Sequence, residues 1–259
     1  TRTLSRNPMR ILFVVREIEY INPMGAQLLS ALAKSGGRSH KTFLHALASG
    51  DVLDAVRRDK PDIVAYCSAK TGEHRFLLSA AARVRSQEPR IFQIMGGPHA
   101  TYFQREIERS AVDALCVGEG EGAWLDFLDA REAGRSIDTI PNIVTKENRG
   151  TWAEIRNRNV DLDALPFLDW DLVLNKTRLG AFPMRSFMVS RGCPFRCSYC
   201  FEHRDNEMYR GRGPVLRRMS VRRVCEELSF LKKAYPNTQR IKEYSDVFPV
   251  FPSVDDEWL

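Results

Sequence analysis

The 259-residue sequence contains no long hydrophobic run. A membrane-spanning helix needs about 18 or more consecutive residues with almost no charge, and because no such stretch occurs we expect no membrane association. The first ten residues also lack the apolar segment of a secretory signal. The sequence therefore predicts a cytoplasmic protein.

Cysteine is scarce, and positive charge exceeds negative charge only slightly. Six cysteines are too few for a secreted disulfide scaffold, and three of them lie within eight residues. The formal net charge of +6 is weak evidence for nucleic-acid binding. Since 43% of the residues are hydrophobic, the chain can form a packed core. These counts favour a globular protein with a metal site.

The first half of the sequence alternates short apolar segments with amphipathic ones. Strand-like runs occupy residues 10–15, 41–47, 62–67, 90–95 and 112–117. Helical spacing follows these runs, most clearly at residues 26–34 and 76–85. Strands and helices joined by short loops indicate parallel strands with right-handed crossovers. We therefore predict an α/β fold with a flavodoxin-like, doubly wound parallel sheet.

The pattern changes after about residue 134. Residues 142–146 and 151–155 resemble a small hairpin, and we expect the apolar side chains of residues 161–171 to lie against a surface. A second α/β segment has strand signals at 186–190 and 240–248 and a helix at 221–234. The predicted organisation is a first domain at 1–135, a hairpin and linker at 136–184, and a second domain at 185–259.

Polar residues and glycines follow four of the predicted strands, at residues 22–25, 68–72, 96–101 and 118–121. In doubly wound sheets, ligands bind at the carboxyl ends of the strands, where glycine lets the backbone turn sharply and approach a ligand closely. Turn formation alone is the alternative explanation, and Glu119 could instead cap the following helix. The candidate ligand-binding residues are Ser68, Thr71, Gly72, Gly96, Gly97, His99, Gly118, Glu119 and Gly120.

The cysteine cluster carries the most specific signal. Cys193, Cys197 and Cys200 follow a predicted strand on one short loop. Such a loop can bind three irons of a [4Fe-4S] cluster and leave the fourth iron open, unlike four-cysteine electron carriers. A Cys3His zinc site completed by His203 is an alternative, although closed zinc sites usually use paired ligand motifs. A disulfide is disfavoured in a reducing compartment.

These cysteines, with an aromatic residue directly before the last one, resemble the radical S-adenosylmethionine enzymes. Together with the glycine loops, the sequence looks like the cobalamin (B12)-binding subgroup, and the second domain like the start of a radical S-adenosylmethionine (β/α) partial TIM barrel. The resemblance implies a [4Fe-4S] cluster that binds S-adenosyl-L-methionine and generates a 5′-deoxyadenosyl radical. It also places Tyr199 near the adenine and Ser245 and Asp246 near S-adenosylmethionine. The alternative role of Tyr199 is to shield the cluster. The alternative for Ser245 and Asp246 is a helix cap or a turn.

The resemblance also implies cobalamin as a cofactor. The Asp-x-His-x-x-Gly motif that supplies a cobalt ligand in other cobalamin proteins is not found after the first strand. His74 and His99 lie on suitable loops, but a loop histidine more often forms hydrogen bonds. We therefore expect the protein to leave the lower face of cobalt without a histidine.

The expected reaction is methylation of an unactivated carbon or phosphorus centre. The alternatives are a cobalamin-assisted radical cyclisation or ring rearrangement, and a cofactor-binding module without independent catalysis. The last alternative is considered because the second domain, residues 185–259, has only 75 residues. An eight-unit barrel needs about 250 residues, so a six-unit barrel needs about 190 by the same scaling. Arginines between residues 185 and 223 suit a small or anionic substrate. We expect an electron donor such as flavodoxin or ferredoxin, and no nucleic-acid partner.

Overall fold

The computed structural model describes residues 8–18, 22–68, 70–148 and 154–247. The chain divides into two compact units. Unit 1 comprises Thr1–Ile18 and Gly25–Ile155, and unit 2 comprises Glu19–Met24 and Arg156–Leu259. Among the described residues, none of the helices is both long and apolar enough to cross a membrane.

Unit 1 contains a six-stranded sheet in the order β2-β1-β3-β4-β5-β6. The first five strands are parallel, and β6 pairs antiparallel with β5. This order confirms the flavodoxin-like, doubly wound fold predicted from the alternation. The strands are β1 (Arg10–Val15), β2 (Lys41–Ala46), β3 (Ile63–Cys67), β4 (Phe92–Gly96), β5 (Ala114–Cys116) and β6 (Ile143–Thr145).

Helices connect the strands of unit 1 and cover the sheet. The central strand β1 is covered on both faces, because Ile11, Leu12, Phe13 and Val14 are all fully buried. This burial explains why the strand has an almost uninterrupted apolar sequence. The helices are α1 (Met24–Lys34), α2 (Val52–Asp59), α3 (His74–Gln87), α4 (Pro98–Tyr102), α5 (Glu106–Arg109) and α6 (Glu121–Glu132), with 3-10 turns at Leu47–Ser49 and Thr71–Glu73.

β6 lies in the first arm of the predicted hairpin, and the Asn142 N–H donates to the Glu154 carbonyl of the second arm at 2.7 Å. The hairpin itself stays a prediction. β6 completes the six-stranded sheet by pairing with β5, so that Leu115 lies opposite Val144. Most of the second predicted arm, residues 151–153, lies outside the described residues. A short apolar segment can pair with any open strand edge, and sequence alone does not choose the edge.

Unit 2 contains a parallel pair, β7 with β10, and an antiparallel pair, β8 with β9. The predicted strand at 186–190 is interrupted, because the chain leaves β10 after Phe187 and pairs with β9 from Ser190. The elements of unit 2 are α7 (Trp170–Leu174), a 3-10 turn (Arg178–Ala181), β7 (Met184–Phe187), β8 (Ser190–Arg191), α8 (Glu202–Met208), β9 (Arg217–Arg218), α9 (Val221–Ala234) and β10 (Arg240–Glu243).

The segment before α7 packs against α9, as predicted from its apolar side chains. Leu162 and Trp170 are 1% exposed. Glu227 of α9 accepts hydrogen bonds from the Leu168 backbone N–H at 2.8 Å and from the Trp170 indole at 3.2 Å, and forms an ion pair with Arg223 at 2.8 Å. A buried carboxylate needs such partners to offset its loss of hydration. The linker is therefore an integral part of unit 2.

Candidate functional site

Three loops of unit 1 follow the adjacent strands β3, β4 and β5, so they meet at the carboxyl edge of the sheet. The loops after β3 and β4 touch through their backbones. Gly97 has a φ of +104°, and a Cβ added there would lie 2.2 Å from the Ser68 carbonyl oxygen. Both the conformation and the contact require glycine. Ser68 itself is buried, and its backbone N–H donates to the Gly96 carbonyl at 3.0 Å.

The loops after β4 and β5 are joined by Thr101. Its hydroxyl donates to the Gly97 carbonyl at 3.0 Å and accepts from the Gly118 N–H at 2.9 Å. Gly118 has a φ of +69°, and a Cβ on Gly120 would lie 3.4 Å from the Cys116 Sγ. Thr101 belongs to the predicted loop after β4 but was given no role of its own, although its place four residues after Gly97 on a helix is a usable signal.

The remaining predicted residues of this edge are less enclosed. Thr71 and Gly72 lie in an exposed 3-10 turn after β3, with nothing within 4 Å of a Cβ added to Gly72. Glu119 is half-buried between β5 and α6. The structure therefore brings all nine predicted residues to one edge, and the residues around Gly97 form its rigid part.

His99 is the unusual side chain of this edge. It is 2% exposed, and neither ring nitrogen has a hydrogen-bond partner among the described residues. Its ring stacks on His74 with centroids 4.1 Å apart and on Phe103 with centroids 4.8 Å apart. Burial, and to a smaller extent the neighbouring His74, lower the pKa of His99. His99 is therefore a neutral imidazole with unmet hydrogen-bonding capacity.

The cysteine loop, residues 193–200, begins where β8 ends and is held at its start by backbone contacts. The Gly192 N–H donates to the Asp246 carboxylate at 2.8 Å. A Cβ on Gly192 would lie 1.9 Å from the Val215 carbonyl oxygen, and its φ is +87°, so the position requires glycine. The Cys193 carbonyl accepts from the Asn206 side chain at 2.8 Å.

Ser245 and Asp246 act on this loop through its backbone. The Ser245 hydroxyl accepts from the N–H groups of Val189 at 3.0 Å and Ser190 at 2.9 Å. Asp246 binds Gly192 as described above. These contacts place both residues beside the start of the cysteine loop, and the role assigned to them toward S-adenosylmethionine stays a prediction.

The middle of the loop is open to solvent. Cys197 is exposed, Cys193 and Cys200 are half-buried, and Tyr199 is 92% exposed. The three thiols are not gathered around one point: among the described residues no group of three or more His, Cys, Asp or Glu side chains could hold a single metal ion. By donor chemistry alone, three cysteine thiols on one loop are a ligand set that an iron–sulfur cluster can use.

Helix α8, which follows the loop, is held by the buried side chain of Arg158, a residue for which no role was predicted. Arg158 donates to Asn206 at 2.9 Å and to the Pro214 carbonyl at 3.2 Å, and it lies over the Tyr209 ring. Nothing in its sequence surroundings marks it. On the same helix, burial and the nearby carboxylates of Asp246 and Asp205 raise the pKa of Glu202 to about 7.

The remaining cysteines do not join this loop. Cys67 and Cys116 end β3 and β5 on either side of Gly96, and burial raises the pKa of the Cys67 thiol to about 12. A thiol with such a pKa is a poor nucleophile and metal ligand at neutral pH. Cys225 is exposed on α9.

Comparison with known proteins places these features in context. Residues 12–128 match the family described as the B12 binding domain. An uncharacterized methyltransferase of Pyrococcus horikoshii is 30% identical over 211 residues, covering 78% of this chain and 43% of the relative. Hopanoid C-3 methylase of Methylococcus capsulatus is 25% identical over 218 residues, covering 82% and 41%. Anaerobic magnesium-protoporphyrin IX monomethyl ester cyclase of Rubrivivax gelatinosus is 26% identical over 228 residues, covering 82% and 39%.

Two solved structures share the fold. One is the cobalamin-dependent S-adenosylmethionine radical enzyme OxsB, with a TM-score of 0.66 and 16% identity, covering 93% of this chain and 34% of that one. The other is the radical S-adenosylmethionine methyltransferase TsrM from Kitasatospora setae with cobalamin and a [4Fe-4S] cluster bound, with a TM-score of 0.65 and 15% identity, covering 92% and 48%. The chain spans less than half the length of each of these proteins.

The sheet order and the match at residues 12–128 define a B12-binding domain with a flavodoxin-like fold. In its fold, the chain is similar to solved radical S-adenosylmethionine enzymes that depend on or bind cobalamin.

Proposed function

We propose that this chain binds cobalamin through unit 1 and a [4Fe-4S] cluster with S-adenosyl-L-methionine through unit 2, as part of a radical methyltransferase. The observation that carries the proposal is the cysteine loop, which presents three thiols from a fixed backbone in a chain that also contains a B12-binding domain. When bound, the cluster and S-adenosylmethionine supply a 5′-deoxyadenosyl radical that removes hydrogen from an unreactive position.

In unit 1, the residues of the carboxyl edge would bind the corrinoid. Gly97 and Gly118 hold backbone conformations that leave no side chain between the loops and a ligand. Thr101 fixes the spacing of the two loops. The buried His99 ring supports the proposal, because a neutral imidazole without partners is costly in a folded protein.

In unit 2, Cys193, Cys197 and Cys200 would hold the cluster as thiolates. Asp246 and Asn206 keep the start of the loop in place. The exposed Tyr199 would cover the adenine of S-adenosylmethionine and exclude water from it, while Ser245 positions the strand that leads into the loop. The protein's contribution is binding, orientation and exclusion of water.

The proposed reaction is methylation of an unactivated carbon or phosphorus centre. Two of the relatives carry the name of a methyltransferase or methylase. A radical cyclisation is the second candidate, because a cyclase is similar over a comparable part of the chain. We further propose a small or anionic substrate and an electron donor of the flavodoxin or ferredoxin type. No membrane or nucleic-acid partner enters the proposal.

Replacement of one cysteine ligand tests the proposal most directly. We expect the chain, reconstituted anaerobically with iron, sulfide and cobalamin, to hold about four irons and to retain the corrinoid. Cys197→Ala should lose nearly all of the iron and the reductive cleavage of S-adenosylmethionine, while it retains cobalamin. Metal analysis, visible absorbance and chromatography of 5′-deoxyadenosine measure these quantities.

Cys225→Ala is the matched control, because Cys225 is also exposed but lies on α9, outside the cysteine loop. It should keep its iron and its cleavage activity. Production of 5′-deoxyadenosine by Cys197→Ala, or one tightly bound zinc per chain in place of iron, would refute the assignment of the three ligands.

A further inference from the structure

His99 combines deep burial with two unsatisfied nitrogens, and the rest of unit 1 does not explain this. Buried polar groups are nearly always paired in native proteins, and an unmade hydrogen bond costs about 1–3 kcal/mol. The His99 ring lies at the start of α4, directly after β4, on the edge where a doubly wound sheet binds its ligand. A partner supplied by the ligand at one of the nitrogens would reduce this cost.

Stacking neighbours fix how a ligand can reach the ring. His74 and Phe103 both lie nearly parallel to His99, at interplanar angles of 19° and 21°. One face of an imidazole has no room for two stacked rings, so these neighbours cover its two faces. A ligand therefore meets the edge of the ring, which carries the nitrogens. Phe103 is 50% exposed, so the His99 ring lies directly beneath a side chain that is open to solvent.

The protonation state of the His99 ring determines which hydrogen-bonding groups of a ligand can pair with it. Burial favours neutral His99, which has one nitrogen that donates and one that accepts. A phosphate or carboxylate can only accept, and an ammonium can only donate. A primary carboxamide does both, so it matches whichever nitrogen it meets in either tautomer. The rim of a corrin ring carries such carboxamides on its side chains.

We propose that the ring edge of His99 binds a peripheral carboxamide of the corrinoid and does not ligate cobalt. This inference rests on the proposed binding of cobalamin by unit 1. Cobalt ligation would require the imidazole to stand free over the metal, whereas His99 is held between two rings. His99 is then a recognition residue for the rim of the cofactor.

Three substitutions in the full chain test this inference by binding of cobalamin alone. His99→Phe keeps an aromatic ring but removes both nitrogens, and we expect the Kd for cobalamin to rise about tenfold. His99→Gln offers an amide that donates and accepts, and it should recover most of the affinity. His45→Phe is the control, because His45 lies on β2 at the far side of the sheet from β4. Equilibrium dialysis gives the Kd, and thermal melts verify that each variant is folded.

A second readout separates carboxamide binding from cobalt ligation. Cob(II)inamide lacks the nitrogenous base of cobalamin, so nitrogen splitting in its electron paramagnetic resonance spectrum reports an axial nitrogen that the protein supplies. We expect the same spectrum from the wild-type chain and from His99→Phe. Splitting that is present in the wild type and lost in His99→Phe would overturn the inference, as would an unchanged Kd in His99→Phe or a Kd for His99→Gln as weak as that of His99→Phe. If the wild-type chain does not bind cobalamin, the proposed function of unit 1 fails, and the inference fails with it.

Discussion

The carboxyl edge of unit 1 and the cysteine loop of unit 2 are built in opposite ways. At the carboxyl edge, the backbone and the buried side chains are already fixed, as shown by Gly97 against Ser68 and by His99 between two rings. In the cysteine loop only the start is fixed, through Gly192 and Cys193, while Cys197 and Tyr199 face solvent.

The difference indicates whether the protein or the bound ligand determines the conformation of each site. A preorganised edge selects a ligand by shape and hydrogen bonding, and it loses little entropy on binding. An open loop of thiols gains its order from the cluster itself, because metal binding couples to folding of its ligands. The two sites should therefore fail separately when each is damaged.

The largest effects are expected from an added methyl group at the two constrained glycines. Gly97→Ala and Gly192→Ala each place a Cβ within 2.2 Å of a backbone oxygen at a positive φ, which costs roughly 2–4 kcal/mol. Gly97→Ala should lose cobalamin binding and keep its iron, whereas Gly192→Ala should lose iron and keep cobalamin. Denaturant unfolding, metal analysis and dialysis measure the three quantities.

Gly25→Ala is the control for this pair. Gly25 lies in α1 with nothing within 4 Å of an added Cβ, so alanine should leave both ligands bound. If either glycine variant lost both ligands while still folded, the independence of the two sites would be wrong.

A smaller effect is expected from the contact that holds the start of the cysteine loop. Asp246→Ala removes the acceptor of the Gly192 N–H and should weaken the loop by about 1–3 kcal/mol. Asp246→Asn retains a carbonyl oxygen and should lose less. Hydrogen exchange of the Gly192 amide should speed up strongly in the first variant and weakly in the second. Equal exchange in both would show that the charge, not the hydrogen bond, holds the loop.

The smallest effect is a pH dependence of unit 1. Because the pKa of His99 is lowered in the folded protein, the unfolded chain takes up the proton first as the pH falls through the ordinary value of 6.5. The free energy of unfolding should then decrease, by no more than about 1.4 kcal/mol per pH unit for one proton. His45, whose pKa burial also lowers, acts in the same direction. Denaturant titrations between pH 8 and pH 5 should therefore show a shallower decrease in His99→Phe than in the wild type, and equal slopes would contradict the assignment.

Much of the fold could be predicted from the local pattern of residues. Helix α9 begins and ends where its apolar spacing indicated, at Val221 and Ala234, and β1 coincides with the predicted apolar run. The parallel direction of the first five strands follows from the alternation of strands and helices. The glycine loops were correctly placed on one edge, because parallel strands all end on the same side.

The features that could not be predicted from the sequence depend on contacts between residues that lie far apart in the chain. The interruption at Val189 arises because Ser245, far along the chain, takes its N–H. β6 pairs with β5, a partner that the predicted hairpin did not include. His99 stacks on the ring of His74, which belongs to a different helix. None of these partners is marked by spacing or composition near the residue concerned.

The Glu227 carboxylate has a consequence for how the second half of the chain may be dissected. It draws on the Leu168 N–H, the Trp170 indole and the Arg223 guanidinium at once. A fragment that began at Arg185 would lack the first two of these groups and would expose the apolar side of α9 to water. A fragment that contains the cysteine loop should therefore begin upstream of Leu162, so that Glu227 keeps all three of its partners.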